Sequence, residues 1–448
     1  MIANRGEIAL RINRACQELG VLTVAIFSEA DRESLHVRQA DEAFCVGPGP
    51  AGRSYLNIPN IISTALITNC DAVHPGYGFL AENARFAEIC RDHGLTFIGP
   101  EPRVIALMGD KATAKRVLQQ AGVATTPGTG VLASVDEARA AAEEIGYPIL
   151  LKATAGGGGR GMRVVDDPSE LARAYAGATA EAEASFKDGR VYVEKLIRSP
   201  RHIEVQVLGD GFGNLVHLGE RDCSVQKPAH QKLIEETPAS HLAPTLRESL
   251  FEMAIRACRS VGYTNAGTLE FLASGNDVYF MEMNTRIQVE HPVTEMVFNI
   301  DLVKEQIRVA AGEPLGYEQR DLGARGHAIE CRINAEDPHN HFAPAAGTVS
   351  KLVFPGGPGI RVDTALYAGA TIPPYYDSMI AKVVAYGDTR EIAIARMERA
   401  LRETMVEGVQ TTIDLCLEIL ATKQFRQGRY DVEFLPQLLA AGTPAAAS

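Results

Sequence analysis

Tryptophan is absent, and no hydrophobic run approaches the roughly 18 residues that a membrane-crossing helix requires. No G-x-x-x-x-G-K-[ST] occurs anywhere, which excludes a P-loop, and no G-x-G-x-x-G follows the first expected strand. The eight cysteines are scattered without a C-x-x-C pair, so they read as reduced thiols of a cytoplasmic protein. Polar residues begin at the fourth position of "MIANRGEIALRINRACQELG", which leaves no room for the apolar core of a signal peptide. Positive charge is in deficit: 44 Lys and Arg against 56 Asp and Glu give a net charge of -12. Such a balance argues against a nucleic-acid partner, whose phosphates need a basic face. A small anion in a local basic pocket stays possible.

What is present fits a globular chain of two or three domains, with 46% hydrophobic and 22% charged residues over 448 positions. Strands and helices alternate over 1–100, beginning with a strand at "MIAN" and a helix striped by Ile8, Ile12, Ala15, Cys16 and Leu19 and closed by Gly20. This rhythm predicts an open parallel, Rossmann-like α/β domain. A helical connector follows over 101–130. A compact unit over 131–197 holds a helix, a strand, the run "AGGGGRGMR", a second helix and the strand "VYVEKLI". Residues 198–436 read as a strand-rich α+β domain with helices near 244–261 and 389–405, and 437–448 as a flexible tail.

The stretch "MEMNTRIQVEHPVTE" puts Glu282, Asn284, Arg286, Gln288 and Glu290 on every second position. Upstream, "GTLEFLAS" and "VYFMEMN" flank a turn. A three-residue loop of Gly275, Asn276 and Asp277 sets Glu270 opposite Glu282, with Cβ atoms about 4.5–5.5 Å apart. Two carboxylates so placed repel unless a cation lies between them. With the oxygen of Asn284 on the same side, the cluster suits Mg²⁺.

Four consecutive glycines in "KATAGGGGRGMR" give bare amides able to close over phosphates, with Lys152, Arg160 and Arg163 as nearby charges. Exposed backbone amides at the end of "VYVEKLI" could read a purine edge, although by itself the run reads first as an ordinary edge strand. "RHIEVQV" places His202, Glu204 and Gln206 on one strand face, and "ERDCSVQKPAHQKLIEE" gathers Gln226, Lys227, His230 and Lys232 in a loop. In "HAIECRINAED", Glu330, Arg332 and Asn334 alternate with apolar residues, so Arg332 points into a polar site.

Together these pieces resemble the biotin carboxylases of the ATP-grasp superfamily. The resemblance runs from residue 1 to about 436 through "IANRGEIA", "HPGYGFLAEN", "FIGP", "MGDKATAK", "GGGGRGMR", "ERDCSVQ", "MEMNTRIQVEHPVTE", "ECRINAED" and "PPYYDSMIAK". It implies an ATP-grasp fold in which the unit around 131–197 is a mobile lid over ATP. It also implies that Lys111 and Lys152 contact phosphates under a lid carrying Gly157, Gly158 and Gly159. Glu194 and Lys195 match contacts to the adenine edge, with Ile197 beside them; His202, Gln226 and His230 match residues near ribose and phosphates. Glu270, Glu282 and Asn284 match the positions for Mg²⁺ or Mn²⁺. Lys232, Arg286, Gln288 and the backbone of Val289 match the bicarbonate pocket, Glu290 the base, and Arg332 the group facing the biotin ureido oxygen.

The resemblance further implies a biotin carboxyl carrier protein or domain, carboxyltransferase subunits, and a homodimer with Arg14 and Glu18 at its contact. One departure is visible: members usually read Q-R-R-H-Q-K or Q-R-R-N-Q-K after "ERDCS", whereas this chain reads "QKPAHQK", one residue longer. Two other readings compete. Another ATP-grasp ligase would keep the acids and glycines but not "RIQVEHPVTE" with "PYYDSM". A nucleotide-binding regulatory subunit has only the longer loop in its favour.

Overall fold

The computed structural model describes residues 1–154 and 161–442. In the first unit, Val24–Ser28 pairs in parallel with Glu42–Gly47, and Ala72–Val73 with Thr96–Phe97. The strand expected at "MIAN" shrinks to one residue. Ile2 bridges Ala25 on one side and His74 on the other, joining the two pairs into one parallel layer. The chain cannot extend further as a strand, because the Asn4 side chain bonds the carbonyls of Pro75 and Tyr77 and Gly6 opens the first helix. That helix, Gly6–Leu19, buries Ile8, Ile12, Ala15 and Cys16 and ends on Gly20 in the left-handed region at φ 69°. Glycine reaches this conformation without a Cβ clash.

Two short helices, Pro102–Gly109 and Lys111–Gln120, lead onward. The next unit is an antiparallel sheet with Ile149–Ala153 between Met162–Val165 and Val191–Lys195. Helices Val135–Ile145 and Leu171–Phe186 cover it through Ala138, Ala142, Leu171 and Ala178.

The largest element is an eight-stranded antiparallel sheet. From edge to edge it runs Asp277–Asn284, Asn265–Ser274, Arg201–Gly209, Leu215–Lys227, Gln231–Thr237, His327–Asn334, Met379–Gly387 and Ile360–Thr364. The two long helices lie where the apolar spacing puts them, at Pro244–Val261 and Arg390–Glu403, and each closes a buried cluster against the sheet. No helix among the described residues is long and apolar enough to cross a membrane.

Two local expectations change. The hairpin loop has two residues, not three, since Ser274 pairs with Asp277; a bulge between Glu270 and Phe271 then restores Glu270 opposite Glu282. The extra residue of the bulge repairs what the shorter loop removes. The stretch carrying Gln226, Lys227, His230 and Lys232 is not a loop. It forms two paired strands around a 3₁₀ turn over Pro228–His230.

Candidate active site

A cavity of about 740 Å³ opens between the three-stranded sheet and the large sheet. Every described residue that the resemblance assigns to nucleotide, metal, bicarbonate or biotin lines it, from Lys111 to Arg332, whereas Glu204 and Gln206 do not. Gly157, Gly158, Gly159 and Arg160 lie outside the described residues. Arg163 does not line the cavity; it turns outward to Glu181 at 3.0 Å.

At its deep end stands Lys232, whose ammonium reaches Glu204 at 2.6 Å, Glu290 at 2.6 Å and Glu270 at 3.0 Å. Burial works against that charge, but Cys223 and the three carboxylates hold the Lys232 pKa well above the ordinary lysine value. Glu204 is neutralised a second time by the fully buried Arg221 at 2.5 Å. The same guanidinium donates to Gln206, Thr268, Thr294 and the side-chain amide oxygen of Gln288, the last at 2.6 Å. Gln288 is thereby oriented to pass its amide to Glu270 at 2.8 Å.

Glu290 receives Lys232 on one oxygen and Arg332, at 3.0 Å, on the other. Burial alone would raise the Glu290 carboxyl; Lys232, Arg332 and Arg221 instead hold it well below the usual carboxylate range. Arg332 also donates to Glu235 at 2.6 Å, and burial pushes that carboxyl up to about 7 against the pull of the guanidinium. Glu330, which alternates with Arg332 along the strand, does not join the cavity. It is fully buried with neither oxygen bonded, and burial raises its pKa well above the carboxylate range.

The row 282–290 is a strand only as far as Asn284. Beyond it the chain turns, so Arg286, Gln288 and Glu290 reach the cavity through turn geometry, not through continued strand alternation. Arg286 is steered by Glu82 at 2.9 Å and by the Asn284 oxygen at 2.9 Å, while Asn284 donates to Glu270 at 2.9 Å.

Glu282 meets Lys111 at 2.7 Å, and Glu270 meets Lys232 and His202 Nε2, each at 3.0 Å. The opposed acids are thus each matched by a separate ammonium. Two carboxylates and an amide oxygen form a hard, all-oxygen donor set of the kind Mg²⁺ or Mn²⁺ accepts, so these residues fit the ion. His202, Glu204 and Glu270 also bring donor atoms within 4.8 Å of one another, but Glu204 is already committed to two cations.

Toward the three-stranded sheet, Glu194 is buried and pairs with Lys152 at 3.1 Å and with Lys115. Burial would raise Glu194, yet Lys152 and Lys115 pull it below its ordinary value. Its side chain therefore holds the two lysines in place, leaving only backbone groups to face a purine. The Lys195 amide is not free for that role: it donates to the Pro127 carbonyl at 2.7 Å, and the Lys195 ammonium bonds Gly146 and Tyr147. Ile197 lines the cavity beside them. Gln226 donates toward His202 Nδ1 at 2.9 Å, and His230 sits on the cavity wall in the left-handed region at φ 59°. The extra residue of "QKPAHQK" is taken up in the 3₁₀ turn, so Lys232 still pairs with Gln226 across the hairpin. Lys227 leaves the row and buries its charge on Glu336 at 2.5 Å.

Arg221, Lys115, Glu235 and Glu82 were not singled out from the sequence. Lys115 had a signal, four residues after Lys111 and on the same helical face. Arg221 had none beyond its place in "ERDCS".

Residues 1–105 match the biotin carboxylase N-terminal domain, 110–318 the ATP-binding domain of the carbamoyl-phosphate synthase L chain, and 330–437 the biotin carboxylase C-terminal domain. A biotin carboxylase of Nostoc sp. is 54% identical over 440 residues, 98% of each chain. Biotin carboxylase 1 of Bacillus subtilis is 54% identical over 438 residues, 97% of each chain. The biotin carboxylase domain dimer of the Hydrogenobacter thermophilus 2-oxoglutarate carboxylase, in complex with MgADP, ADP and bicarbonate, matches at TM-score 0.94 and 50% identity. It covers 99% of this chain and 98% of its own. A β,γ-ATP complex of Campylobacter jejuni biotin carboxylase matches at TM-score 0.94 and 49% identity, covering 97% of this chain and 98% of its own. With the fold, the cavity and relatives this similar over nearly their whole lengths, the chain belongs to the biotin carboxylase family of ATP-grasp enzymes.

Proposed function

We propose that this chain carboxylates biotin with bicarbonate at the expense of ATP, through carboxyphosphate, giving N1′-carboxybiotin, ADP and phosphate. The observation that carries the reading is Glu290, a buried acid with Lys232 on one oxygen and Arg332 on the other, beside Arg286 and Gln288. Such a site binds a small oxyanion and holds a proton acceptor against it.

Lys111, Lys152 and Lys115 draw the ATP phosphates, and the backbone around Glu194 to Ile197 borders the purine. Mg²⁺ or Mn²⁺ on Glu270, Glu282 and Asn284 supplies charge neutralisation for the transferring phosphoryl group. Lys232, Arg286, Gln288 and the Val289 backbone hold bicarbonate. The incoming anion competes with Glu290 for Lys232, which loosens the strongest restraint on Glu290 and makes it a better base. Glu290 takes the bicarbonate proton as that oxygen attacks the γ-phosphorus. Carboxyphosphate separates into CO₂ and phosphate; phosphate removes the biotin N1′ proton, Arg332 faces the enolate-like ureido oxygen, and the nitrogen attacks CO₂. Closure of the unit over 131–197 keeps carboxyphosphate from water.

The biotin is carried on a carboxyl carrier protein or domain, and the carboxyl group passes to carboxyltransferase subunits. Homodimerisation belongs to the same reading; Arg14 is exposed, while Glu18 pairs with Lys304 at 2.5 Å within the chain. All eight cysteines are free, which supports a cytoplasmic location. The test is ADP release from Mg-ATP with bicarbonate and free biotin each omitted in turn. Dependence on both, lost about 10²–10⁴-fold in Glu290→Gln, supports the reading; equal release without bicarbonate overturns it.

A further inference from the structure

The turn that carries Gln288, Val289 and Glu290 is held from behind. The Gln288 carbonyl lies 2.7 Å from His291 Nδ1, and the Val289 carbonyl accepts from Lys382 Nζ at 2.9 Å. His291 and Lys382 are both fully buried and neither lines the cavity, whereas Gln288, Val289 and Glu290 all do. A carbonyl cannot donate, so His291 must carry its proton on Nδ1.

In a planar trans peptide the C=O of one residue and the N–H of the next point in opposite directions. Holding the Gln288 and Val289 carbonyls against the protein interior therefore turns the N–H groups of Val289 and Glu290 the other way, toward the cavity. Among the described residues neither of these amides donates to any protein acceptor. Two successive free amides at the start of the helix His291–Phe298 form an anion-binding nest. They open beside Arg286 and Gln288.

Lys382 is itself tied down on three sides. Its ammonium meets Glu7 at 3.1 Å and Asp363 at 3.9 Å besides the Val289 carbonyl. Glu7 in turn accepts from the Tyr77 hydroxyl. A residue of the large sheet thus fixes the turn to the first helix of the chain.

We infer that His291 and Lys382 are positioning residues for bicarbonate: by gripping the Gln288 and Val289 carbonyls they aim the Val289 and Glu290 amides at the bound anion. The inference rests on the bicarbonate reading of the site. Neither residue touches substrate, so their loss shows in the bicarbonate KM with nucleotide affinity spared.

The two amide-bearing substitutes for histidine separate positioning from mere space-filling. Asparagine places an N–H donor where Nδ1 stands; glutamine, closer to histidine in size, places it where Nε2 stands. His291→Gln is expected to raise the bicarbonate KM about tenfold, the cost of roughly one hydrogen bond. His291→Asn is expected to stay within about twofold of the unsubstituted chain, and ADP binding by calorimetry to be unchanged in both. The opposite order, with glutamine tolerated and asparagine not, or equal loss of ADP and bicarbonate affinity, overturns the inference. Lys382→Met is expected to follow His291→Gln, with the KM effect again confined to bicarbonate. A second readout needs no substitution: ¹⁵N shifts of His291 in the unsubstituted chain are expected to report the Nδ1–H tautomer, and an Nε2–H tautomer overturns the inference even if a variant fails to fold. Absence of bicarbonate-dependent ADP release in the unsubstituted chain sinks the functional reading itself. Intact dependence with no change in the variants sinks only the positioning role.

Discussion

Lys232 and Glu290 are joined at 2.6 Å, and the same ammonium reaches Glu204 and Glu270. One cation therefore compensates carboxylates from two strands and a turn, two of them assigned to opposite ends of the chemistry.

Removing that cation leaves three buried acids short of charge. Lys232→Met is expected to lose about 3–5 kcal/mol of stability at neutral pH, the usual result of breaking a buried pair from one side. Without the ammonium Glu270 and Glu290, which it holds below the carboxylate range, take up protons more easily, so the deficit shrinks as pH falls toward 5. Chemical denaturation at pH 8 and pH 5 measures both; an equal deficit at the two pH values contradicts the account.

Arg332 is placed to separate the two halves of the reaction. Arg332→Gln is expected to keep bicarbonate-dependent ADP release without biotin within about tenfold, the cost of roughly one hydrogen bond, since Glu290 loses that guanidinium from one oxygen but keeps Lys232 on the other. The biotin-stimulated part falls on the order of 10²–10³-fold with loss of the donor to the ureido oxygen. Parallel assays with and without free biotin decide the matter, and equal losses in both would remove Arg332 from the biotin step.

Glu282 faces Lys111 and is about a third exposed. Glu282→Gln is expected to raise the Mg²⁺ concentration needed for half-maximal turnover about tenfold while costing little stability, because an exposed pair contributes about 0–1 kcal/mol. A magnesium titration of turnover reads the shift. An unchanged half-point assigns the ion to other residues.

His36 is buried with both ring nitrogens unbonded, and burial pulls its pKa down to about 4; burial likewise takes His74 down to about 3. Both folded values lie below the unfolded 6.5, so the unfolded chain binds more protons as pH falls. The stability involved is intact above pH 6.5 and drains away between there and the folded values, on the order of 3 kcal/mol for His36. Relative to the unsubstituted chain, His36→Leu is expected to gain stability as pH drops from 7.5 to 5. Melting temperatures at the two pH values check it, and a constant difference contradicts it.

Much of the site was legible because its residues recur at short, regular spacings. The opposition of Glu270 and Glu282 was read through a three-residue loop, and a two-residue loop with a bulge produced the same pair. Strand alternation suggested the row from Glu282 to Glu290, yet its last three members arrive through a turn that tertiary contacts hold. Arg221 and Lys382 were out of reach, because a buried cation within a strand has no periodicity and its partners lie far away in sequence. The first strand failed for a related reason. "MIAN" carries strand-like residues, but Asn4 is claimed by carbonyls near Pro75, and only Ile2 finds neighbours on both sides.

The central claim is that bicarbonate, not water, takes the γ-phosphoryl group of ATP. Bicarbonate labelled in all three oxygens with ¹⁸O, supplied with Mg-ATP and free biotin, tests it through the mass of the phosphate released. The account predicts one ¹⁸O in each phosphate, carried there by carboxyphosphate. Unlabelled phosphate formed at the full rate of ADP release would contradict it.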